Sequence, residues 1–555
     1  MRFTKDQLIE MMDANDGNLC LSVLPITELP DGLEVEHNLD LSDSRLTALP
    51  KGLHVGGDLF LSGSEIQVLP EDLVVKGTLR LTGSKIVELP STIKAGVIDC
   101  HEMSRIVVPD DAHYSGSLFL RKATEVVIGQ NVQVDGYLDL CSVANLEELP
   151  PGLKVGGALH LWGSSVKHLG ANTEIGGDFN LQRSEVVELP EGLIVGGKLT
   201  ICADGSGWNA WYPKITSLPP KMRVGSLYIQ GTLIRELPKD LVVKNALEIG
   251  KEITRIPMQL NLTGHLVAGN IEYLPAGSSF GGGVYLRVSP ISVIDSITVM
   301  GEADFQNSKL QALTGECKFG GDLILPPTID ELPEELHVAG TLEIGSRLNK
   351  SVALKRLPRK LHAGKLIIKK ATIESWPEEI QVDGDIILRD GGTIGLPASL
   401  TEVNGSLHLS DSISELPDSL RVIHGDLEAN RLANLGLGPL LVEGDVVLRN
   451  HRLRSLPKGL TVAGNLDLHD QQHDRDLKNL PSGLRVGGRL ILPMQRILMP
   501  LPDDLEVGDE IWWTLPDWSE PSEFSQNLET LMAITEKWEA RKEGRTLILR
   551  HKVTT

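Results

Sequence analysis

The chain has 555 residues, a formal net charge of −22 and 41% hydrophobic residues, but only 4% of its residues are aromatic. Its core must therefore be built from leucine, valine and isoleucine. The negative charge argues against direct binding to nucleic acid or to an anionic membrane, because both need clustered lysine and arginine. It fits a protein partner with a basic surface, and it also keeps a long chain soluble.

The first residues of the chain, MRFTKDQLIEMMDAND, contain no apolar run of signal-peptide length. No segment is apolar for the roughly 18 residues that a membrane helix needs. The 5 cysteines are scattered, odd in number and without CxxC spacing, which favours neither a disulfide framework nor a structural zinc site. We therefore expect a cytoplasmic protein, acting in its own cell or in a host reached by a route that needs no signal peptide.

The N-terminal segment, residues 1–18, carries the signature of a helical cap. Thr4 and Gln7 stand at the spacing of a capping box, and Phe3, Leu8, Ile9 and Met12 form one apolar side of a helix over residues 4–14.

From residue 19 to about residue 510 the sequence repeats a unit of about 20 residues, roughly 23 times. Residues 49–68 read LPKGLHVGGDLFLSGSEIQV. The DLFL segment alternates apolar and polar residues and predicts a short strand with its leucines inward. We expect the Gly-Gly pair to form a turn at positive φ, and Leu-Pro to leave an extended corner. A unit this short has no room for a helix on its return side, where GLHV is a second strand candidate.

One such unit cannot bury its own apolar edge, so stacked neighbours must share a core. The repeats therefore predict a mainly β solenoid, a superhelix of about 23 short parallel-strand repeats with an extended return side and a helical cap at each end.

The spacing Leu-x-x-x-Leu-x-Leu-x-x-Ser-x-Leu-x-x-Leu-Pro resembles the shortest bacterial class of leucine-rich repeats. Val35, Leu39, Leu41, Leu46 and the pair Leu49-Pro50 carry the resemblance. This class occurs in type III secreted effectors, the IpaH/SspH ubiquitin ligases and the YopM-like scaffolds. The resemblance implies a recognition scaffold, and it does not extend to a ligase domain, because residues 511–555 contain no cysteine.

Two irregular units interrupt the period. The first inserts residues 203–213, in which Trp208, Trp211 and Tyr212 lie close together in a chain poor in aromatic residues. Such a loop either contacts a partner or folds back over the solenoid. The second insertion, residues 469–476, places His469 and His473 among aspartates; we expect a solvated loop there, with these histidines as weak metal-ligand candidates.

The residues between the inward strand leucines form a column that we expect on the concave face. Acids are common in it and aromatic residues recur, which suits a basic protein surface with apolar anchors; polar residues are also ordinary at exposed strand positions. Its candidate contact residues are Asp40, Phe60, Asp139, Tyr228, Glu248, Tyr285, Asp304, Glu343, Glu428 and Asp467.

The last segment, residues 511–555, predicts a second cap: a helix over residues 522–543, a stop at Gly544 and a strand over residues 546–549. Because this segment is locally basic, it could also bind another molecule instead of serving only as a cap.

The sequence contains no motif that predicts a catalytic site, and we expect no cofactor. The sequence favours a non-catalytic protein-recognition scaffold that binds through the column, the Trp loop or both; bacterial host interaction or conflict is the setting that the resemblance implies. One alternative is an acidic inhibitor that mimics nucleic-acid charge, and another is a secreted effector acting as an adaptor. The oligomeric state stays open.

Overall fold

The computed structural model describes residues 2–203, 211–258, 260–345, 351–389, 395–450, 452–469, 477–494, 498–515 and 521–552. Trp208 and His473 of the two insertions lie outside these ranges. The chain divides into two compact units, Met1–Pro275 and Ala276–Thr555, and each is a stack of parallel β turns. Together they contain about 23 solenoid turns, as the repeats predict.

In its described residues, the first unit forms the helix α1 (Lys5–Asp13) and 24 strands. These strands are β1 Leu19–Cys20, β2 Glu34–Val35, β3 Leu39–Asp40, β4 His54–Val55, β5 Leu59–Phe60, β6 Val74–Arg80, β7 Thr92–Asp99, β8 Arg105–Val108, β9 His113–Tyr114, β10 Ser117–Phe119, β11 Glu125–Ile128, β12 Gln133–Val134, β13 Leu138–Asp139, β14 Glu148–Leu149, β15 Lys154–Val155, β16 Leu159–His160, β17 His168–Leu169, β18 Glu174–Ile175, β19 Phe179–Asn180, β20 Ile194–Thr200, β21 Arg223–Ile229, β22 Val242–Ile249, β23 Asn261–Leu262 and β24 His265–Ala268.

The second unit contains strands β25 to β50 and the helix α2 (Pro521–Lys537). Its strands are β25 Ser278–Phe280, β26 Val284–Tyr285, β27 Val293–Asp295, β28 Ile297–Val299, β29 Ala303–Asp304, β30 Ala312–Thr314, β31 Cys317–Phe319, β32 Leu323–Leu325, β33 Glu335–Ile344, β34 Lys360–Lys369, β35 Glu379–Val382, β36 Ile386–Arg389, β37 Glu402–Val403, β38 Leu407–Leu409, β39 Val422–Ile423, β40 Leu427–Asn430, β41 Leu441–Val442, β42 Val446–Arg449, β43 Thr461–Val462, β44 Leu466–Asp467, β45 Arg485–Val486, β46 Leu490–Leu492, β47 Glu506–Val507, β48 Ile511–Thr514, β49 Trp538–Glu543 and β50 Thr546–His551.

Most turns contribute a strand to each of two columns. The first column contains the GLHV-type strands; β2 pairs with β4 there, with Val35 opposite Val55. The second column contains the DLFL-type strands; β3 pairs with β5, with Leu39 opposite Leu59. Both strand positions predicted from the unit are confirmed. In a few turns one long strand, such as β6, runs through both columns.

The core is aliphatic and takes inward side chains from both columns and from the return side of each turn. In the turn of residues 49–68, the side chains of Val55, Leu59, Leu61 and Ile66 are completely buried. Complete burial of such a side chain contributes roughly 1.5–3 kcal/mol relative to exposure. Because every turn repeats this set, the core continues from one turn to the next within each unit.

The Gly-Gly pairs do not form positive-φ turns, so that expectation was wrong. In the same turn the glycines with positive φ are Gly52 and Gly63, both at 67°. A Cβ atom on Gly56 would instead overlap the backbone carbonyl of Glu36 in the preceding turn. The pair is required because successive turns approach each other too closely there for a side chain.

Aspartate and asparagine just after the glycines join neighbouring turns. Oδ1 of Asn38 accepts a hydrogen bond from the backbone N–H of Asp58 at 2.7 Å, and Oδ1 of Asp58 accepts one from Thr78 at 2.7 Å. The second unit repeats this, since Asp426 accepts from Asp445 at 2.7 Å and Asp445 from Asn465 at 2.6 Å. Part of the acidic composition is thus used to satisfy backbone donors between turns.

Helix α1 begins after the N-cap Thr4 with the expected capping box. Oγ1 of Thr4 accepts from the N–H of Gln7 at 3.3 Å, and the N–H of Thr4 donates to Oε1 of Gln7 at 3.0 Å. Leu8 and Met12 are buried, whereas Ile9 is exposed. The apolar side of the helix is therefore narrower than the sequence predicts.

The C-terminal helix is shorter than expected. α2 ends at Lys537, and Trp538–Glu543 forms β49, which pairs antiparallel with β50. β50 also pairs antiparallel with β48 of the last turn, with Trp513 opposite Leu547. The residues predicted to be the end of a helix are a strand because β50 is paired on both sides and the charged strand β49 covers its outer edge. Gly544, at φ 61°, is in the connecting turn.

In the described part of the chain, neither helix is long and apolar enough to cross a membrane.

Candidate functional site

Each second-column segment has two inward residues with one residue between them. These middle residues pair in register from turn to turn within each unit, and we call them the ladder. They are the residues of the predicted column. In the first unit the ladder runs through Asp40, Phe60, Arg80, Asp99, Phe119, Asp139, His160, Asn180, Thr200, Tyr228 and Glu248. In the second unit it runs through Tyr285, Asp304, Ile324, Glu343, Ile367, Ile387, His408, Glu428, Val447, Asp467, Ile491 and Trp512.

Ladder aspartates and asparagines close the turn that follows their strand. Oδ1 of Asp40 accepts a hydrogen bond from the N–H of Ser42 at 2.9 Å, and Asn180 accepts from Gln182 at 2.9 Å. Asp467 does the same with the N–H of His469 at 2.8 Å. This Asx-type bond from residue i to residue i+2 stabilises turns locally. It explains acidic residues at the ladder position without any partner.

Two ladder acids are buried and ion-paired. The carboxylate of Asp139 binds the guanidinium of Arg121, with Nε at 3.0 Å, and Asp304 binds Nε of Arg287 at 2.6 Å. Burial raises the pKa of Asp139, but hydrogen bonds from Cys141 and Arg121 outweigh it, so its pKa is lowered overall. Neither carboxylate is free to pair with a basic partner.

Around Tyr285 the ladder forms a small polar cluster. The hydroxyl of Tyr285 donates to Oε2 of Glu302 at 3.2 Å, and the guanidinium of Arg287 lies 5.8 Å from the ring centroid. Burial first, and the charge of Glu302 second, raise the pKa of this tyrosine. The phenol is thus held neutral as a hydrogen-bond donor. The cluster links side chains of neighbouring turns, which is a structural role.

The remaining predicted ladder glutamates also have partners within the chain. Glu248 accepts from Nε2 of Gln230 at 3.0 Å. Glu343 binds Nζ of Lys369 at 2.7 Å, and Glu428 lies 3.0 Å from Nδ1 of His408. Of these three partners, Gln230 and Lys369 stand outside the ladder, whereas His408 is the ladder residue of the preceding turn.

Exposed aromatic side chains lie beside the ladder of the first unit. Tyr137 immediately precedes β13 and is 53% exposed, and Trp162 follows β16 and is 45% exposed. The guanidinium of Arg183 from the next turn lies 5.8 Å from the Trp162 ring. Neither aromatic residue was predicted as a contact residue, although each stands at an outward position next to an inward leucine, Leu138 or Leu161.

Of the predicted Trp loop, residues 203–213, the structure describes Ala203 and residues 211–213. Tyr212 is 64% exposed, and Trp211 is half-buried. These residues come two turns after Trp162 in the same unit. Cations also lie over ladder aromatics: Arg80 lies 5.2 Å from the centroid of Phe60, and Lys198 lies 4.4 Å from that of Tyr228.

The described residues contain no group of three or more side chains placed to hold a metal ion. His469, one of the two weak candidates, lies at the end of the described range, and its backbone N–H is bonded to Asp467.

The sequence matches no known protein family and no curated protein. Among solved structures, one of YopM from Yersinia enterocolitica WA-314 is similar, with 17% identity over 82% of this chain and 92% of that chain. The TM-score is 0.21. Because a score of this size does not establish a shared fold, the solenoid described above rests on this chain's own strand pairing.

Proposed function

We propose that this chain is a non-catalytic scaffold that binds a protein partner through the aromatic side of the first-unit ladder. This aromatic surface consists of Tyr137, Trp162, Trp211 and Tyr212, with Phe60 and Phe119 further along the ladder. We take it to lie on the concave side of the solenoid, as the resemblance to leucine-rich repeats implies. Large exposed aromatic side chains are common energetic anchors of protein interfaces.

The single observation that carries this proposal is the exposure of Tyr137, Trp162 and Tyr212 in a chain with only 4% aromatic residues. Such side chains lose favourable burial when left in water, and the ladder offers a regular strand surface to hold them in place. Charge plays a smaller part than the composition suggests, because Asp139, Asp304 and several ladder glutamates are satisfied within the chain.

A partner with a basic rim remains part of the proposal, since the chain as a whole is strongly acidic. An adaptor role in a bacterial or host cytoplasm is the setting that the resemblance to secreted effectors suggests. The alternative, mimicry of nucleic-acid charge, requires a continuous stripe of free carboxylates, and the internal pairing along the ladder speaks against it.

The test is affinity purification of the full chain from its native cytoplasm, compared with the double variant Trp162→Ala/Tyr212→Ala. We expect the partner to be lost from the variant and retained by the control Tyr273→Ala, which removes an exposed aromatic residue bridged to Arg255, outside both columns. A complex that dissociates steeply with salt but ignores the double substitution would instead establish charge mimicry.

A further inference from the structure

One complete turn of the second unit carries cations and no acid. Residues 446–465 include Arg449, Arg452, Arg454 and Lys458 but neither aspartate nor glutamate. The chain as a whole has the opposite balance, with 53 lysines and arginines against 75 aspartates and glutamates. All four cationic side chains are exposed. This turn is therefore a local reversal of the charge of the protein.

The following turn extends this group of cations. Lys478 comes directly after the buried Leu477, just as Arg454 comes directly after the buried Leu453. The two cations thus occupy the same position in adjacent turns, and adjacent strands of such a stack lie about 4.8 Å apart. Lys478 is also exposed. We call these five residues the basic surface: Arg449, Arg452, Arg454, Lys458 and Lys478.

The core and the preceding turn hold the centre of the basic surface in place. The N–H of Arg452 donates to the carbonyl of Leu432 in the preceding turn at 2.8 Å. Leu453 is buried, whereas Arg452 and Arg454 on either side of it are exposed. Both arginines therefore point away from the core.

The described residues form no ion pair with any cation of the basic surface. The acids of the preceding turn bond to other groups. Glu428 lies 3.0 Å from Nδ1 of His408, and Glu443 lies 2.9 Å from Nδ1 of His424. Asp445 accepts a backbone N–H of the next turn at 2.6 Å. The described part of the chain thus supplies no counter-charge to these cations.

The basic surface is limited to two turns of the stack. Two turns before Arg454, the corresponding region carries the exposed Glu415. In the turn after Lys478, Asp503 and Asp504 follow a Leu-Pro pair, and the side chain of Asp503 is 93% exposed. A long polyanion that followed the stack would meet these carboxylates, whereas a short acidic segment would not.

The preceding turn adds an exposed apolar side chain. Leu437 is 78% exposed. It stands two positions after the buried Leu435, as Lys458 stands two positions after the buried Leu456, so it is a neighbour of the basic surface. A partner side chain that covers Leu437 would gain free energy from its burial. This favours a protein segment over a nucleic acid.

We propose that the basic surface binds a short acidic segment of a partner protein that also carries an apolar side chain. Carboxylates of the segment pair with Arg452, Arg454 and Lys478, and the apolar side chain covers Leu437. The net charge of −22 does not prevent this contact, because charges more than roughly 8 Å apart are screened at physiological salt. The site uses none of the residues of the aromatic surface, so either proposal can fail while the other stands.

The test uses the full chain and a rhodamine-labelled, end-blocked hexapeptide of alternating glutamate and leucine. Fluorescence anisotropy should show saturable binding that weakens as the salt concentration rises. A glutamine–leucine peptide with the same label should bind at least tenfold more weakly, because it has lost the carboxylates.

The double variant Arg452→Gln/Arg454→Gln should weaken binding of the glutamate–leucine peptide about fivefold, the effect expected for two exposed charge pairs. Arg45→Gln is the matched control and should bind as the parent protein does. Arg45 is exposed and directly precedes the buried Leu46, as Arg452 precedes Leu453, but it lies in the first unit. The circular dichroism spectra of all variants should be unchanged.

Two further measurements locate the bound peptide. Leu437→Ser should weaken its binding about threefold, because a partly buried leucine contact is lost. Carbodiimide coupling, which joins a carboxylate to a lysine amine, should attach the peptide to Lys458 or Lys478, as identified by mass spectrometry.

The absence of saturable binding by the glutamate–leucine peptide overturns the proposal. So does equal binding of the glutamine–leucine peptide, an affinity that is unchanged in Arg452→Gln/Arg454→Gln, or coupling only to lysines outside the basic surface. A single-stranded thymidine oligonucleotide that binds more tightly than the peptide would show a nucleic-acid site instead.

Discussion

The buried carboxylate of Asp304 accepts a hydrogen bond from Nε of Arg287, which stands one turn earlier, at 2.6 Å. The first unit contains the same arrangement in Asp139 and Arg121. In each pair the arginine stands two positions after the ladder residue of its own turn. Its side chain binds the ladder aspartate of the next turn. This pairing fixes the stacking register, because a shifted turn would leave a buried carboxylate without a partner.

Asp304→Ala should therefore destabilise the second unit. We expect a loss of about 2 kcal/mol in the free energy of unfolding, as for a charge-assisted hydrogen bond, measured by urea unfolding with circular dichroism. The control Glu428→Ala removes an exposed ladder carboxylate and should change the same quantity by less than about 0.5 kcal/mol. Equal losses in the two variants would contradict a special role for the buried pair.

His424 should titrate above the usual histidine range. Its ring lies between Oε2 of Glu443 at 2.9 Å and Oε1 of Glu402 at 2.7 Å, and these hydrogen bonds raise its pKa. A raised folded-state pKa means that its contribution to stability is present below about pH 6.5 and is lost as the pH rises through the folded-state pKa. NMR titration of histidine-labelled protein, with the signal assigned through His424→Gln, measures the pKa directly.

In the variant Glu443→Gln the pKa of His424 should fall toward its ordinary value, since the first of its two hydrogen-bonding carboxylates is gone. A pKa that is unchanged in this variant would refute the assignment.

The C-terminal hairpin should depend on Glu510. This buried carboxylate binds Nε of Arg550 at 3.0 Å, Nη2 of Arg541 at 3.2 Å and Nε1 of Trp512 at 2.8 Å. Glu510→Ala leaves two arginines without their shared partner, so hydrogen exchange over β49 and β50 should accelerate, while exchange over β40 and β42 stays as in the parent protein. Glu543→Ala, on the exposed edge strand, is the control and should leave the hairpin protected.

Two glycine substitutions should separate close approach from backbone conformation. Gly32→Ala meets no neighbouring atom but must adopt φ 65°, which costs roughly 1–2 kcal/mol. Gly56→Ala places a Cβ atom on the carbonyl of Glu36, so we expect a larger loss, about 3 kcal/mol, as for an overpacked site. Urea unfolding of both variants decides the order, and a smaller loss for Gly56→Ala would show that the turns can move apart freely.

The repeat period and the alternation of leucines were enough to predict the solenoid, both strand positions and the inward set such as Leu59 and Leu61. These features are local, since a short strand shows its buried side by alternation alone. The capping box at Thr4 and Gln7 was predictable for the same reason, because both partners lie within one helical turn.

The role of the acidic residues could not be predicted in this way. Asp58 bonds to Thr78 and Asp304 to Arg287, so each acid acts on a turn that lies 17–20 residues away. Read as a column in the sequence, the ladder acids resemble a charged surface, and only the stacking register shows which of them are already paired. The Gly-Gly pairs are a similar case, since their reason lies in the neighbouring turn.

The sequence by itself thus determined that this protein is a stack of short β turns with an aliphatic core. Only the tertiary structure decided which side chains remain available to another molecule. It left Tyr137, Trp162 and Tyr212 exposed, and it paired many of the ladder acids with other side chains of the same chain. The physical reason is that a side chain remains available only if no side chain of an adjacent turn covers it or pairs with it. Which side chains meet in this way is set by the pairing register between turns, and the repeat period alone does not reveal it.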